Sequence, residues 1–121
     1  MSQARQLLGK TGEDLACREL ERRGYEILAR RYRRRGGELD VIARDGDTLV
    51  FVEVKTRAGL AFGHAAEAVS VVKRRRIVRL AQEFIVCHRL TGPCRFDVVA
   101  IDFHRERPSV SVYQDAFGAT A

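Results

Sequence analysis

The stretch "VFVEVKTR", Val50–Arg57, places an acid and a base inside a run of residues that is typical of a β-strand. Side chains alternate between the two faces of a strand, so Glu53 and Lys55 share one face with Phe51. The intervening valines fall on the other face, which is suited to a core. The Glu-x-Lys pair fits either the charged outer face of a surface strand or half of a metal-dependent active site.

A second carboxylate comes from the segment that precedes this strand. "GELDVIAR" (Gly37–Arg44) and "TLVFVEVKTR" (Thr48–Arg57) flank the turn signal "DGD", which predicts a β-hairpin. A loop with an even number of residues would put Asp40 and Glu53 on one face, whereas an odd loop or a bulge would separate them. Neighbouring carboxylates are costly unless a cation neutralises them, and hard oxygen ligands favour Mg²⁺ or Mn²⁺ over zinc.

This set of two acids and a lysine is suited to phosphodiester hydrolysis. A divalent cation held by Asp40 and Glu53 can lower the pKa of a water molecule and polarise a phosphate. The Lys55 ammonium can orient the water or stabilise the charge on the phosphate. Two other hypotheses stay open: a nucleic-acid-binding module that does not cut, and an accessory protein whose acids are structural. A binding module has no need for the complete set, which therefore favours an enzyme.

The charge of the chain points to a polyanionic partner. The formal net charge is +6, and much of it lies in "RRYRRR" (Arg30–Arg35) and "KRRR" (Lys73–Arg76). Arginine clusters suit phosphate, so we favour nucleic acid, and DNA in particular, over a solvated surface or an anionic membrane. The residues predicted to contact nucleic acid are Arg31, Arg33, Arg34, Arg35, Arg57, Lys73 and Arg74.

Length and composition restrict the class of protein. A chain of 121 residues is expected to form a single domain over residues 1–121. It has no long apolar run and no secretory signal at its start, so we expect a cytoplasmic protein with no membrane partner. The three widely spaced cysteines indicate neither a zinc site nor a disulfide framework.

The pattern of apolar residues predicts an α/β fold. Thr11 is a candidate cap for the first helix and Gly24 its end, while Ser70 can cap the second helix. The loop "RAGLAFGHAAEA" precedes that second helix. The predicted elements are a helix (Gly12–Arg23), a strand (Tyr25–Arg34), the two hairpin strands, a helix (Val71–Arg89) and two strands (Cys94–Ile101 and Ser109–Phe117). A mixed five-stranded sheet flanked by helices, in the order α-β-β-β-α-β-β, fits best.

Two further acids have structural or flanking roles in this interpretation. Asp97 interrupts the apolar strand "RFDVV", and we expect it to form a structural pair with Arg95 or with a helix residue. Glu38 should flank the site or pair with one of the arginines.

Four blocks of the chain resemble the YraN-like family of small bacterial proteins. They are "GEDLACRELERRGYEIL", "RRGGELDVIARDGDTLVFVEVKTR", "FGHAAEAV" and "RFDVVAI". That family is similar to archaeal Holliday junction resolvases and other PD-(D/E)xK nucleases. The resemblance implies a restriction-endonuclease-like core and a Mg²⁺- or Mn²⁺-dependent endonuclease acting on branched or flapped DNA. A homodimer is also implied, because both strands of a symmetric junction must be cut.

The resemblance assigns roles to individual residues. Asp40 matches the aspartate of the signature, and Glu53 and Lys55 match its acid and lysine. The implied metal ligands are therefore Asp40, Glu53 and the carbonyl of Val54. Glu13, in "GED", matches the first-helix glutamate of the resolvase-like members and becomes an additional catalytic and metal-binding residue.

Some of these positions depart from the pattern or have a simpler explanation. Leu39 stands where the signature has proline, a position that carries no chemical group. Glu13 could instead complement the dipole at the start of the predicted helix. Gln82 lies on the second helix, where related nucleases sometimes place a polar active-site residue.

Overall fold

The structure is a computed structural model that describes residues 3–58, 69–104 and 107–118 of the chain. Its elements confirm the α/β class, the five strands and the predicted order. They are α1 (Gln3–Arg22), β1 (Glu26–Arg34), β2 (Gly37–Asp45), β3 (Thr48–Ala58), α2 (Val71–Cys87), β4 (Cys94–His104) and β5 (Arg107–Phe117). No helix in these described ranges is long and apolar enough to cross a membrane.

The five strands form one mixed sheet in sequential order, β1-β2-β3-β4-β5. Neighbouring strands are antiparallel except for β3 and β4, which run parallel. A parallel pair needs a crossover connection, and α2 lies in the connection between these two strands. Because β4 lies between β3 and β5 and is covered by helices, its residues form a continuous apolar run.

The β2–β3 hairpin has the even loop that the sequence left open. Asp45 pairs with Thr48 across a two-residue turn, and Gly46 takes a positive φ of 61° in that turn. Such tight hairpin turns need a left-handed residue, which glycine supplies without a steric penalty. Continuing the register one residue beyond Val41 and Val52 puts Asp40 opposite Glu53.

Both faces of the sheet are covered, which differs from the one-sided core expected for β3. Phe51 and Ile42 belong to a core that includes the buried face of α2. Val50 and Val52 belong to a second core with Ala16 and Leu20 of α1. The polar face of β3 is therefore apolar at Phe51 and becomes charged only towards the end of the strand.

The first helix begins nine residues before the predicted start, so Thr11 is not its cap. The good helix formers that precede Thr11 extend the helix, and Gly12 lies where α1 meets β3: a Cβ there would come within 2.8 Å of Thr56 Cγ2. The predicted end is confirmed, because Gly24 has a φ of 94° and the Tyr25 N–H donates to the Leu20 carbonyl.

The second helix begins where the sequence predicted and ends two residues early. The Ser70 side chain accepts a hydrogen bond from the Lys73 N–H at 3.2 Å, which confirms the cap. His88 and Arg89 form a turn instead of helix, and Arg89 has a left-handed φ of 51°. Most of the predicted loop "RAGLAFGHAAEA" lies outside the described residues.

Candidate metal centre

Asp40 lies in the middle of β2, at a point where the regular pairing of that strand is interrupted. The β2–β3 register ends at Val41 opposite Val52, and the Val54 N–H donates to Asp40 Oδ2 at 2.8 Å. On the other side, the β1–β2 register has no pair for Asp40, and the facing residue Arg31 has a φ of 52°. Backbone strain of this kind, about 1–3 kcal/mol per residue, concentrates at functional sites.

Glu53 lies against Asp40 on the neighbouring strand and is only 4% exposed. Burial and the Glu53 carboxylate raise the pKa of Asp40 from 3.8 to about 8. The Lys73 Nζ, from the first turn of α2, lies 2.5 Å from Glu53 Oε1 and partly offsets this effect. Asp40 is therefore mostly protonated at neutral pH when no other cation is near.

Glu13 and Glu38 complete a cluster of acids around Asp40. Carboxylate oxygens of these three residues all lie within 4.8 Å of one another. Glu13 comes from α1, ten residues after Gln3, where the dipole at the helix start has faded. Its alternative role as a first-turn acid is therefore wrong, and its position favours a role in the cluster.

Three of the four acids already contact a basic side chain. Arg31 Nε lies 2.7 Å from Glu13, Arg33 Nε lies 2.9 Å from Glu38, and Lys73 contacts Glu53. Asp40 is the remaining member. When Asp40 is protonated, the negative charges of the other three acids balance the positive charges of their three basic partners. Ionisation of Asp40 leaves one negative charge without a basic partner.

A pocket of about 280 Å³ opens onto this cluster. It is lined by Glu38, Asp40, Glu53, Lys73, Arg76 and Ile77. The pocket thus has acids on the strand side and bases on the side of α2.

The donor set fits a hard divalent cation. Glu13, Glu38 and Asp40 offer oxygen atoms at ligand spacing, and Glu53 adds a fourth carboxylate beside Asp40. No histidine or cysteine belongs to the acid cluster within the described residues, so its chemistry favours Mg²⁺ or Mn²⁺ over zinc. A cation here would also remove the cost of burying two facing carboxyl groups.

The other predicted site residues divide between this region and the rest of the molecule. Lys55 is half-buried on β3, two residues beyond Glu53, but it does not line the pocket. The Val54 N–H is used by Asp40, and its carbonyl role stays a prediction. Gln82 lies on an exposed cleft of α2 with Arg79, Glu83, Val86 and Cys87, away from the acids.

The residues predicted to contact nucleic acid are partly engaged within the protein. Arg31, Arg33 and Lys73 neutralise the acid cluster, and Arg57 Nε lies 2.9 Å from Asp102 Oδ1 on β4. Arg74 Nε donates to the Val69 carbonyl at 2.9 Å. The Arg34 guanidinium lies over the Tyr32 ring, 4.3 Å from its centroid, and Arg35 is exposed in the β1–β2 turn.

Sequence reasoning missed three parts of this site. Glu38 was expected at its flank and does pair with Arg33, but it is also a member of the acid cluster. Lys73 was expected on a nucleic-acid surface, and Arg76 was expected only as part of the basic cluster "KRRR". The i, i+2 spacing of Glu38 and Asp40 on β2 is a signal that could have found Glu38. No local signal joins Lys73 to Glu53.

A second buried acid, Asp97, is bound in a different way. It is fully buried on β4, and it accepts hydrogen bonds from Tyr25 Oη (2.8 Å), Arg95 Nε (2.8 Å) and the Asp115 N–H (3.0 Å). Hydrogen bonding to Asp97 raises the pKa of Arg95, which stays charged. The predicted structural pair with Arg95 is confirmed.

Comparison with known proteins places the chain among its relatives. The profile of Uncharacterised protein family UPF0102 matches residues 12–101, which include the whole acid cluster. The chain belongs to the UPF0102 family. This confirms the YraN-like resemblance. A UPF0102 protein of Rhodococcus opacus is 52% identical over 112 residues, covering 91% of this chain and 95% of the relative. A UPF0102 protein of Geobacter metallireducens is 44% identical over 118 residues, covering 97% of each.

Proposed function

We propose that the protein is a metal-dependent endonuclease that hydrolyses phosphodiester bonds of DNA at the acid cluster. The observation that carries the proposal is the meeting of Glu13, Glu38 and Asp40 within 4.8 Å, beside the buried Glu53. Four acids from one helix and two strands converge there, although convergence raises the pKa of Asp40 to about 8. Such a cost is typical of functional sites.

The residues divide the work of hydrolysis between them. Asp40, Glu13 and Glu38 would hold Mg²⁺ or Mn²⁺, with Glu53 as a further ligand. The bound cation would supply an acidified water and polarise the phosphate. Lys55, on the same face of β3 as Glu53, would orient the water or stabilise the phosphate charge. Arg76 lines the opposite wall and can contact a phosphate that enters the pocket.

The second candidate is a nucleic-acid-binding or accessory module that does not cut. One observation favours it: Glu13, Glu38 and Glu53 each have a basic partner within 2.9 Å or less. A site with balanced charges can be purely structural. The excess acid, Asp40, is what this alternative does not explain, because a structural network gains nothing from a carboxyl with a raised pKa.

Branched or flapped DNA is the substrate that we propose, and a homodimer is the form that would cut both strands. Exposed apolar side chains give the dimer limited support. Val71, Val72 and Val86 are at least half exposed on α2, but they lie at its two ends, about 20 Å apart along the axis. Light scattering after size exclusion would measure the mass in solution.

The proposed activity is tested by cutting labelled linear, flapped and four-way-junction DNA with Mg²⁺, with Mn²⁺ and with chelator. Asp40→Ala and Lys55→Ala should each lower the rate by at least ~100-fold. Asp47→Ala and Lys10→Ala are matched controls, since both residues are exposed and lie outside the acid cluster. They should cut like the unaltered chain.

Three results would decide between the hypotheses. Metal-dependent cutting that both site substitutions abolish establishes the nuclease and its site. Cutting that survives both substitutions points to a contaminant and contradicts the assignment. Tight binding with no cutting of any substrate favours the binding module.

A further inference from the structure

The basic residues of this protein separate into two groups by what they contact. Several cations of the two basic clusters already lie against acids, as the pairs Arg31–Glu13, Arg33–Glu38 and Lys73–Glu53 show. Ion-paired arginines gain less from a phosphate, because a carboxylate must first be displaced. The surface that binds an external polyanion must therefore be sought among cations that lack an acidic partner.

Three such cations lie together on the outer side of α2. Arg75, Arg76 and Arg79 are exposed, and within the described ranges none of them forms an ion pair. Their spacing puts them on one stretch of the helix surface, since residues three and four apart are neighbours there. With Val72 they line a cleft of about 290 Å³.

This cleft adjoins the pocket over the acid cluster. Arg76 lines both cavities, so its side chain lies between them. A phosphate backbone that follows the arginines would lead directly towards Asp40 and Glu53.

The β1–β2 turn supports the arginine side chains. A Cβ at Gly36 would come within 2.8 Å of Arg79 Nη2, and a Cβ at Gly37 within 2.9 Å of Arg76 Cδ. Both glycines have positive φ values, 101° and 151°. The close contact of a bare backbone with both side chains restricts their motion, which reduces the entropy lost when a ligand is bound.

We propose that Arg75, Arg76 and Arg79 form a phosphate-binding groove that holds a nucleic-acid backbone and directs it into the acid pocket. The kind of partner rests on the proposed function, but the groove itself rests on the arginines and the two cavities. Guanidinium groups hold phosphate oxygens in pairs, and a row of three matches a chain of phosphates. A flat anionic bilayer fits less well, because a flat surface cannot follow a cleft and the pocket beside it as a strand of phosphates can.

The groove is tested by measuring DNA binding in chelator, where no metal-dependent cutting can occur. Fluorescence anisotropy with labelled single-stranded and duplex DNA would be recorded over a series of salt concentrations. The test protein carries Arg75→Ala, Arg76→Ala and Arg79→Ala. The control carries Lys10→Ala, Arg18→Ala and Arg107→Ala, which remove the same charge from exposed positions on α1 and β5. Circular dichroism would verify the fold of both.

The groove triple variant should bind DNA at least ~10-fold more weakly, and the slope of log affinity against log salt concentration should fall in magnitude by about two to three. The affinity of the control triple should stay within about 3-fold of that of the unaltered chain. If the groove triple unfolds, Arg75→Ala and Arg79→Ala alone should each flatten the slope by about one. Equal losses in the test and control triples would overturn the groove, since net charge alone would explain them. Preferential binding to anionic phospholipid vesicles would overturn it too.

The test of the groove and the test of the nuclease activity can have different outcomes. DNA binding through the groove by a chain that never cuts would uphold the groove and reject the catalytic proposal. Normal binding and cutting by the groove triple would reject the groove and the phosphate contact of Arg76, and would leave cutting at the acid cluster intact.

Discussion

Two acids of the same sheet, the fully buried Asp97 and the half-buried Asp40, differ in what surrounds them. Asp97 accepts hydrogen bonds from a tyrosine, an arginine and a backbone N–H. Asp40 accepts one backbone N–H, from Val54, and otherwise faces the carboxylate of Glu53. The fold thus surrounds Asp97 with hydrogen-bond donors and leaves Asp40 facing another carboxylate.

The difference separates an acid that stabilises the fold from one that is held for a ligand. Removing Asp97 would leave the buried Tyr25 Oη without its acceptor and Arg95 with Asp45 as its remaining acidic partner, so the fold depends on it. At pH values where Asp40 is ionised, removing its charge would relieve a repulsion, so the fold does not need this carboxylate. Acids that lower the stability of the fold and converge on a pocket are typical of functional sites, because a bound cation or substrate can offset the lost stability.

The largest effect on stability should come from Asp97→Ala. We expect a loss of about 3–5 kcal/mol in the free energy of unfolding, because Arg95 keeps its charge with its main acceptor gone. Denaturant unfolding at neutral pH would measure this loss, with Asp47→Ala as the exposed control. A loss below about 1 kcal/mol would contradict the structural role of Asp97.

Asp40→Asn should raise the free energy of unfolding, and the size of this gain should depend on pH. The folded-state pKa of Asp40, about 8, lies above the ordinary value of 3.8, so the folded chain holds more protons between these two values. The stability of the metal-free protein therefore falls as pH rises through that window, and Asp40→Asn removes the effect. The variant should exceed the unaltered chain by at least about 1 kcal/mol near pH 8 and by little near pH 4.

Thermal and denaturant unfolding in chelator, over a pH series, would check this. An Asp40→Asn protein that is less stable than the unaltered chain near pH 8 would show that the Asp40 carboxylate is a stabilising group. The comparison with Asp97 would then fail.

Lys73→Met should have a smaller effect that depends on metal. Glu53 is buried and loses its only described cationic contact, so the metal-free protein should lose about 1–2 kcal/mol. A divalent cation at the cluster would replace the ammonium, and most of the loss should disappear at saturating Mn²⁺. Lys10→Met, at an exposed position of α1, is the control. A loss that Mn²⁺ leaves unchanged would separate Glu53 from the metal centre.

Much of the fold followed from local sequence. The "DGD" turn and strand alternation predicted that Asp40 and Glu53 share a face if the loop holds an even number of residues, and the two-residue loop meets that condition. A polar residue inside the apolar strand "RFDVV" predicted a structural pair of Asp97 with Arg95 or a helix residue, and the pair with Arg95 is present. Each of these inferences needed only the periodicity of a strand and the parity of a turn.

The remaining features depend on contacts between distant segments. Lys73 meets Glu53 because α2 packs over β3, and no local pattern fixes that placement. The predicted start of α1 was wrong because Thr11 resembles a cap. The helix begins at Gln3 instead and passes through Thr11, and Gly12 packs against β3. The same error made Glu13 look like a first-turn acid.

The central claim is that Asp40 is the key residue of a divalent-cation site. Calorimetric titration of Mn²⁺ and Mg²⁺ into the unaltered chain, Asp40→Asn and Asp47→Asn, in two buffers of different ionisation enthalpy, tests it most directly. We predict binding by the unaltered chain and Asp47→Asn with release of about one proton near neutral pH, and at least ~10-fold weaker binding by Asp40→Asn. Equal affinity in all three proteins, or no binding by the unaltered chain, would contradict the claim.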